Sequence, residues 1–122
     1  MATEKDLMDA IARIESDVTG FIAASFVDLE SGMTLAAKSN RSDFDLSVAS
    51  AYNSEMVKQK LKIIKALGLR TNLEDMLLTL GDQIHVVKLV GQGTFIYLAV
   101  DRAQCNLAIV RNVLGKNAAA FV

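Results

Sequence analysis

The chain has 122 residues, 52% of them hydrophobic and 22% charged, which suits one domain over residues 1–122 whose core needs no disulfide staples. Thirteen basic residues oppose fourteen acidic ones for a formal charge of −1, so no global field draws the protein onto nucleic acid. A single cysteine and a single histidine exclude a disulfide framework and a multi-cysteine zinc site, and no cofactor is expected. No apolar run follows a basic start, and no apolar stretch reaches the roughly 20 residues of a bilayer span. The expectation is a cytoplasmic protein without a membrane span.

Thr3 is a good N-cap with Asp6 in the first turn. Leu7, Ile11, Ile14 and Val18 then form a helical stripe, which predicts a first helix over residues 4–17 ended by Gly20. The run GFIAASFVD, a turn at Leu29, Glu30, Ser31 and Gly32, and an extended stretch over 33–37 predict a β-hairpin. Ser42 with Asp45 resembles a capping box, so a long second helix is expected over 43–67, closed by Gly68. Residues 73–80, 83–90 and 94–100 read as three strands of a meander joined by tight turns. Asp101 is expected to cap a last helix with Ala103, Leu107, Val110 and Leu114 as its apolar stripe. Gly115 is a candidate end for that helix, and the tail NAAAFV could prolong it. The order α-β-β-α-β-β-β-α defines an α/β (α+β) fold, with a five-stranded antiparallel sheet covered by three helices.

Few residues suggest chemistry. Gly91, Gln92 and Gly93 lack the third glycine and following helix of a dinucleotide site, and read as a hairpin turn. His85 sits mid-strand with no nucleophile motif, which favours an ordinary sheet histidine over a catalytic base. Cys105, placed in the first turn of the last helix and pointing away from its stripe, has no second cysteine or basic neighbour and reads as passive. The pairs Asp28/Glu30 and Asp43/Asp45 fit a turn and a helix start.

The second helix carries the most information. A helix lying on a sheet needs an apolar stripe a little over 100° wide. Here Leu46, Ala49, Tyr52, Met56, Val57, Leu61, Ile63, Ile64 and Leu67 cover roughly 180°. Such a helix is covered on two sides. Asn53 and Lys60 fall inside the arc, where a polar position suits a helix–helix seam that fixes register, or where Lys60 snorkels to water. Lys58, Lys62 and Lys65 share a polar arc. This reads as a solvated face or as a docking patch for an acidic partner or an anionic lipid surface.

The passages VTGFIAASFVDLESGMTLAAKS and GTFIYLAVDRAQCNLAIVRNVL, the long second helix and the element order together resemble the roadblock/dynein-light-chain (roadblock/LC7) family over about residues 4–115. The resemblance implies a profilin-like sheet with the first and last helices on one face and the second on the other. It implies a homodimer, or a heterodimer, in which the second helices pack together and the third strands pair across the two-fold. The implied interface is Ala49, Tyr52, Asn53, Met56, Lys60, Ile63, Leu67, Asp75, Met76, Leu77 and Leu78. It further implies a non-enzymatic adaptor for a small Ras-like GTPase, or a scaffold in a motor or signalling complex. The competing reading is a PAS- or GAF-like ligand sensor, which needs a cavity between sheet and helix.

Overall fold

The computed structural model describes residues 2–122. The eight elements follow in the expected order: α1 Glu4–Asp17, β1 Phe21–Asp28, β2 Thr34–Ser39, α2 Leu46–Ala66, β3 Asp75–Thr79, β4 Gln83–Val90, β5 Thr94–Asp101 and α3 Leu107–Ala119. All sheet neighbours are antiparallel, in the spatial order β2-β1-β5-β4-β3. No described helix is long and apolar enough to cross a membrane.

β1 and β5 lie inside the sheet, and six consecutive residues of each are buried. Both faces of these strands are therefore covered, and near-continuous apolar runs result. On one face Ile11 and Ile14 of α1, with Val110 and Leu114 of α3, pack on Phe26, Val86, Ile96 and Leu98. On the other, Leu46 and Val57 of α2 pack on Ala23, Val27, Phe95, Tyr97 and Ala99. This is the implied arrangement, with α1 and α3 opposite α2.

Local chemistry sets the boundaries. Thr3 caps α1 by accepting from the Asp6 amide, and Asp6 accepts in return from the Thr3 amide, a full capping box. The second helix starts later than expected, because Asp45 rather than Ser42 is its cap: one Asp45 oxygen accepts from the Ser47 and Val48 amides at 3.0 and 3.2 Å. Asp43 is engaged with Arg41, the Phe44 amide donates to the Arg41 carbonyl, and Phe44 packs on His85 and Tyr97, which holds residues 41–44 in a turn ahead of the helix. Likewise Asp101 does not cap the last helix. Its backbone is paired in the sheet with Gln83 and bonded to Gly20, so helix cannot begin there. Its carboxylate instead accepts from the Ala103 amide in a turn, and Asn106 caps α3 through the Ile109 amide. The buried stripe of α3 is consequently Val110, Val113, Leu114, Asn117 and Ala118, while Ala103 and Leu107 are exposed. Cys105 lies ahead of the helix and packs against the core, not away from it. Gly115 sits within α3, which the tail extends to Ala119.

Replacing Asp45 with Ala should lower stability by about 1 kcal/mol through two unsatisfied amides. Ser42→Ala should change it by less than about 0.5 kcal/mol. Urea unfolding midpoints of the two variants measure the difference, and equal losses would refute the capping assignment.

Candidate functional site

α2 lies over β1 and β2. Its buried residues are Leu46, Ser50, Ser54 and Val57, so small hydroxyl side chains form the middle of the contact. They let the helix come close to the hairpin. The Thr34 and Ser50 hydroxyls are 2.7 Å apart. Gly32, at φ 76°, has no Cβ to occupy the space 3.5 Å from Ala51 Cα and Ser54 Oγ. Lys58 Nζ donates to the Glu30 carbonyl at 2.7 Å and ties the helix to the β1–β2 turn. Beyond Val57 no residue of α2 is buried. A 21-residue helix runs about 31 Å, whereas an eight-residue strand spans about 26 Å.

The remainder of the expected apolar arc is half-buried or exposed. Residues 49, 52, 56, 60, 63 and 67 recur at helical spacing along one flank. Tyr52 is 74% exposed, Leu67 67% and Ile63 39%, and neighbouring Val48 is 51% exposed. Ala49, Asn53 and Met56 are half-buried, and Lys60 is exposed. On this side α2 makes its main contacts with β1 and β2, while Val87 of β4 is buried beneath Phe44, Met56 and Leu73 and His85 and Leu89 are left half-buried. Met76 and Leu78 point to the α2 side, opposite Val87 and His85 of β4. Leu77 points to the other side, opposite Val86, and is exposed.

β3 is a sheet edge, as is β2. The two edges are built differently. β2 carries Lys38, held by Glu15 of α1, and its pairing with β1 is interrupted by an irregularity at Phe26/Val27. Such features blunt an edge against pairing. β3 has one charge, Asp75, at its start, and Arg111 of α3 grips that carboxylate at 3.0 and 3.3 Å. Met76, Leu77 and Leu78 follow without a charge among them.

Of the three lysines of the polar arc, Lys58 is committed to Glu30, with Glu55 at 3.7 Å. Lys62 and Lys65 are exposed and make no ion pair among the described residues.

His85 is half-buried, edge-on to Tyr97 and Phe44 at ring distances of 5.4 and 6.0 Å. Its Nε2 lies 2.7 Å from Gln83 Oε1 and its Nδ1 3.0 Å from the Tyr97 hydroxyl. A neutral ring satisfies both, donating to Gln83 and accepting from Tyr97. Burial lowers the His85 pKa against a smaller upward pull from Asp82. Burial also pushes the Tyr97 hydroxyl up to about 12. With both nitrogens taken, the ring is not placed to activate a nucleophile. The Gly91–Gly93 segment is the β4–β5 turn, as expected, with Gly91 at φ 61°. Asp28 accepts from the Ser31 amide and hydroxyl within the β1–β2 turn.

One depression of about 530 Å³ lies between α1 and the segment after α3, lined by Asp6, Asp9, Arg13 and Phe121 among others. Another of about 460 Å³ lies at the β3–β4 turn, lined by Asp82, Asp101 and Arg102 among others. Neither is the chamber between sheet and helix that a ligand sensor needs.

No protein-family model and no curated protein matches the chain by sequence. Solved structures do match it. MglB of Myxococcus xanthus superposes with a TM-score of 0.86 at 13% identity, over 98% of this chain and 86% of that one. An MglB in a tetrameric arrangement gives 0.80 at 18% identity, over 95% and 87%. A Roadblock/LC7 domain from Streptomyces avermitilis gives 0.79 at 12% identity, over 98% and 94%. The chain has the roadblock/LC7 fold.

Sequence reasoning missed Ser50 and Ser54, which face the sheet where apolar residues are the usual signal. Ser54 Oγ is buried with no hydrogen-bond partner, so Ser54→Ala should leave stability unchanged or raise it by up to about 1 kcal/mol. Ser50→Ala should lower it by about 1 kcal/mol, because the Thr34 hydroxyl loses its partner. Thermal melts of both variants test this, and a clear loss in Ser54→Ala would show that its hydroxyl is satisfied.

Proposed function

We propose that this chain is a non-catalytic adaptor or regulator, one roadblock/LC7-like domain over residues 1–122 that works as a dimer in the cytoplasm. The observation that carries the reading is the outer part of the α2 flank, where Tyr52, Ile63 and Leu67 are exposed, beside the unguarded β3 edge. A monomer rarely leaves such a stretch open without an interaction to cover it. A second copy supplies a helix of the right length and polarity. The interface then comprises Ala49, Tyr52, Asn53, Met56, Lys60, Ile63 and Leu67 of α2, with Asp75, Met76, Leu77 and Leu78 of β3 pairing edge to edge. The unguarded β3 edge favours pairing there over β2. Asn53 and Lys60 act as register-setting positions in the seam, at some cost in stability.

The partner of the dimer is a small Ras-like GTPase, or a component of a signalling or motor complex that the dimer scaffolds. The fold supports this reading by analogy only, since folds host many functions. The exposed Lys62 and Lys65 are the side chains available to an acidic surface on that partner, and Lys58 contributes its charge from its tether at Glu30.

Sedimentation equilibrium of the protein at micromolar concentration should give a dimer, and a single 13.2 kDa species would refute the reading. Met56→Glu brings like charges together in a partly desolvated seam, a cost of several kcal/mol. The variant should be a folded monomer by chromatography and circular dichroism. An unchanged dimer would remove α2 from the interface. Copurification of a GTPase with the tagged dimer from its native lysate, lost in Lys62→Glu/Lys65→Glu, tests the partner. Retention by that variant would remove the two lysines from the contact.

A further inference from the structure

We infer that His85 makes self-association pH-sensitive, because it sits half-buried on the α2 side of β4, opposite Leu78 of the edge strand, in the strip of sheet that a second copy would cover. This rests on the dimeric reading above.

Each element around the ring favours its neutral form or is neutral toward it, with one exception. β3 presents Leu78, with no charge. β5 presents Tyr97, whose hydroxyl is itself kept protonated by burial. The segment ahead of α2 presents the Phe44 ring, followed by Asp45 at the helix cap and preceded by Asp43, which is paired with Arg41. The β3–β4 turn supplies Asp82, which favours the cation, but burial outweighs it. The incoming stripe of a second α2 carries one charged side chain, Lys60, which is a cation. Covering the strip therefore removes water from His85 without bringing an anion from that stripe.

The sign follows from linkage. The ring in the free protomer already protonates less readily than an exposed histidine. In the dimer it protonates less readily still, because the charged form loses more solvation. Protons then bind the free protomer better than the assembly, and acidification favours dissociation. The effect is absent above the ordinary histidine range and grows as pH falls below it. A neutral ring also fits its two partners as they stand, whereas a cation presents a second N–H to the Tyr97 hydroxyl, which must turn to accept it.

The test is the dimer dissociation constant by sedimentation at pH 7.5 and pH 5.0, with circular dichroism at each pH to confirm a folded chain. The wild type should dimerise about tenfold more weakly at pH 5.0, the limiting change produced by about half a pKa unit between free and assembled protein at each of the two rings. His85→Gln keeps a neutral polar side chain and should dimerise equally at both. A wild-type constant that does not change with pH, or a variant with the wild-type slope, would overturn the inference. His85 is the sole histidine of the chain, so its ring protons report independently of any variant. Their NMR titration midpoint should be lower in concentrated protein than in dilute protein, and equal midpoints would also overturn it. Absence of any dimer at pH 7.5 would instead refute the parent reading and this inference with it.

Discussion

The close seating of α2 on the first hairpin governs the rest of the α2 side. Ser50 and Ser54 in the contact, Gly32 beneath them and the Lys58–Glu30 bond draw the helix toward β1 and β2. A helix about 10 Å across, so placed, does not also cover the edge strand β3. The further the helix is drawn to one side of the sheet, the wider the strip left on the other. The exposed flank of α2 and the half-buried state of His85, Met76 and Leu78 on the same side are thus one consequence of one contact. Had larger residues replaced the serines, ridge-like packing would have lifted the helix and changed its position over the strands.

The opposite face meets the same sheet differently. Two shorter helices share it, and between them they bury Phe26, Val86, Ile96 and Leu98. α3 reaches as far as the edge strand, where Arg111 holds Asp75. That ion pair is largely exposed on the arginine side, so its contribution to stability is small. Its positional consequence matters more. It engages the single charge of β3 on the α3 side and leaves Met76, Leu77 and Leu78 to set the character of the edge. β2, by contrast, keeps Lys38 and an irregular register, and both α1 and α2 contact it. In the proposed dimer, the sheet continues across the edge that resists pairing least.

The element order and the types of all eight elements are legible in the sequence, because β1 and β5 are covered on both faces and α1 has a clean stripe. The boundaries that differ do so where two residues compete for one role. Asp45 and Ser42 are both good caps, as are Asn106 and Asp101. The choice is made by tertiary contacts, Phe44 against His85 and Tyr97 in one case, the Asp101–Gln83 pairing in the other. The stripe of α3 slipped for the same reason, since a start at Asp101 places Ala103 and Leu107 inward. The second failure is chemical. Periodicity searches weigh apolar residues, so they centre the arc of α2 on Met56 and pass over Ser50 and Ser54, although those serines mark the true sheet-facing direction. The excess width of the arc was readable, but which part of it met the sheet was not. His85 was correctly placed in a strand, yet of its partners Tyr97 and Phe44 come from other segments that only the fold brings beside it, while Gln83 is its neighbour two residues back on β4.

The serines also explain why a surplus apolar flank is compatible with a folded protomer. Burial of Val57, Leu46 and the aromatic residues below them secures the first half of α2, and most helical stability in proteins comes from such packing. The rest, beyond Val57, has no fully buried residue and is held only by the Lys58–Glu30 bond and the half-buried Ile64. Its leucine and isoleucines would be better placed in solvent as polar residues if the protomer acted alone. Keeping Ile63, Ile64 and Leu67 there, interrupted by Lys60, Lys62 and Lys65, is consistent with a segment whose packing is completed from outside. A protomer secured at one end of its longest helix and left apolar at the other is thereby suited to be a subunit. In the proposed assembly, the second half of one helix lies along the well-seated end of its neighbour, so each helix is supported over its whole length.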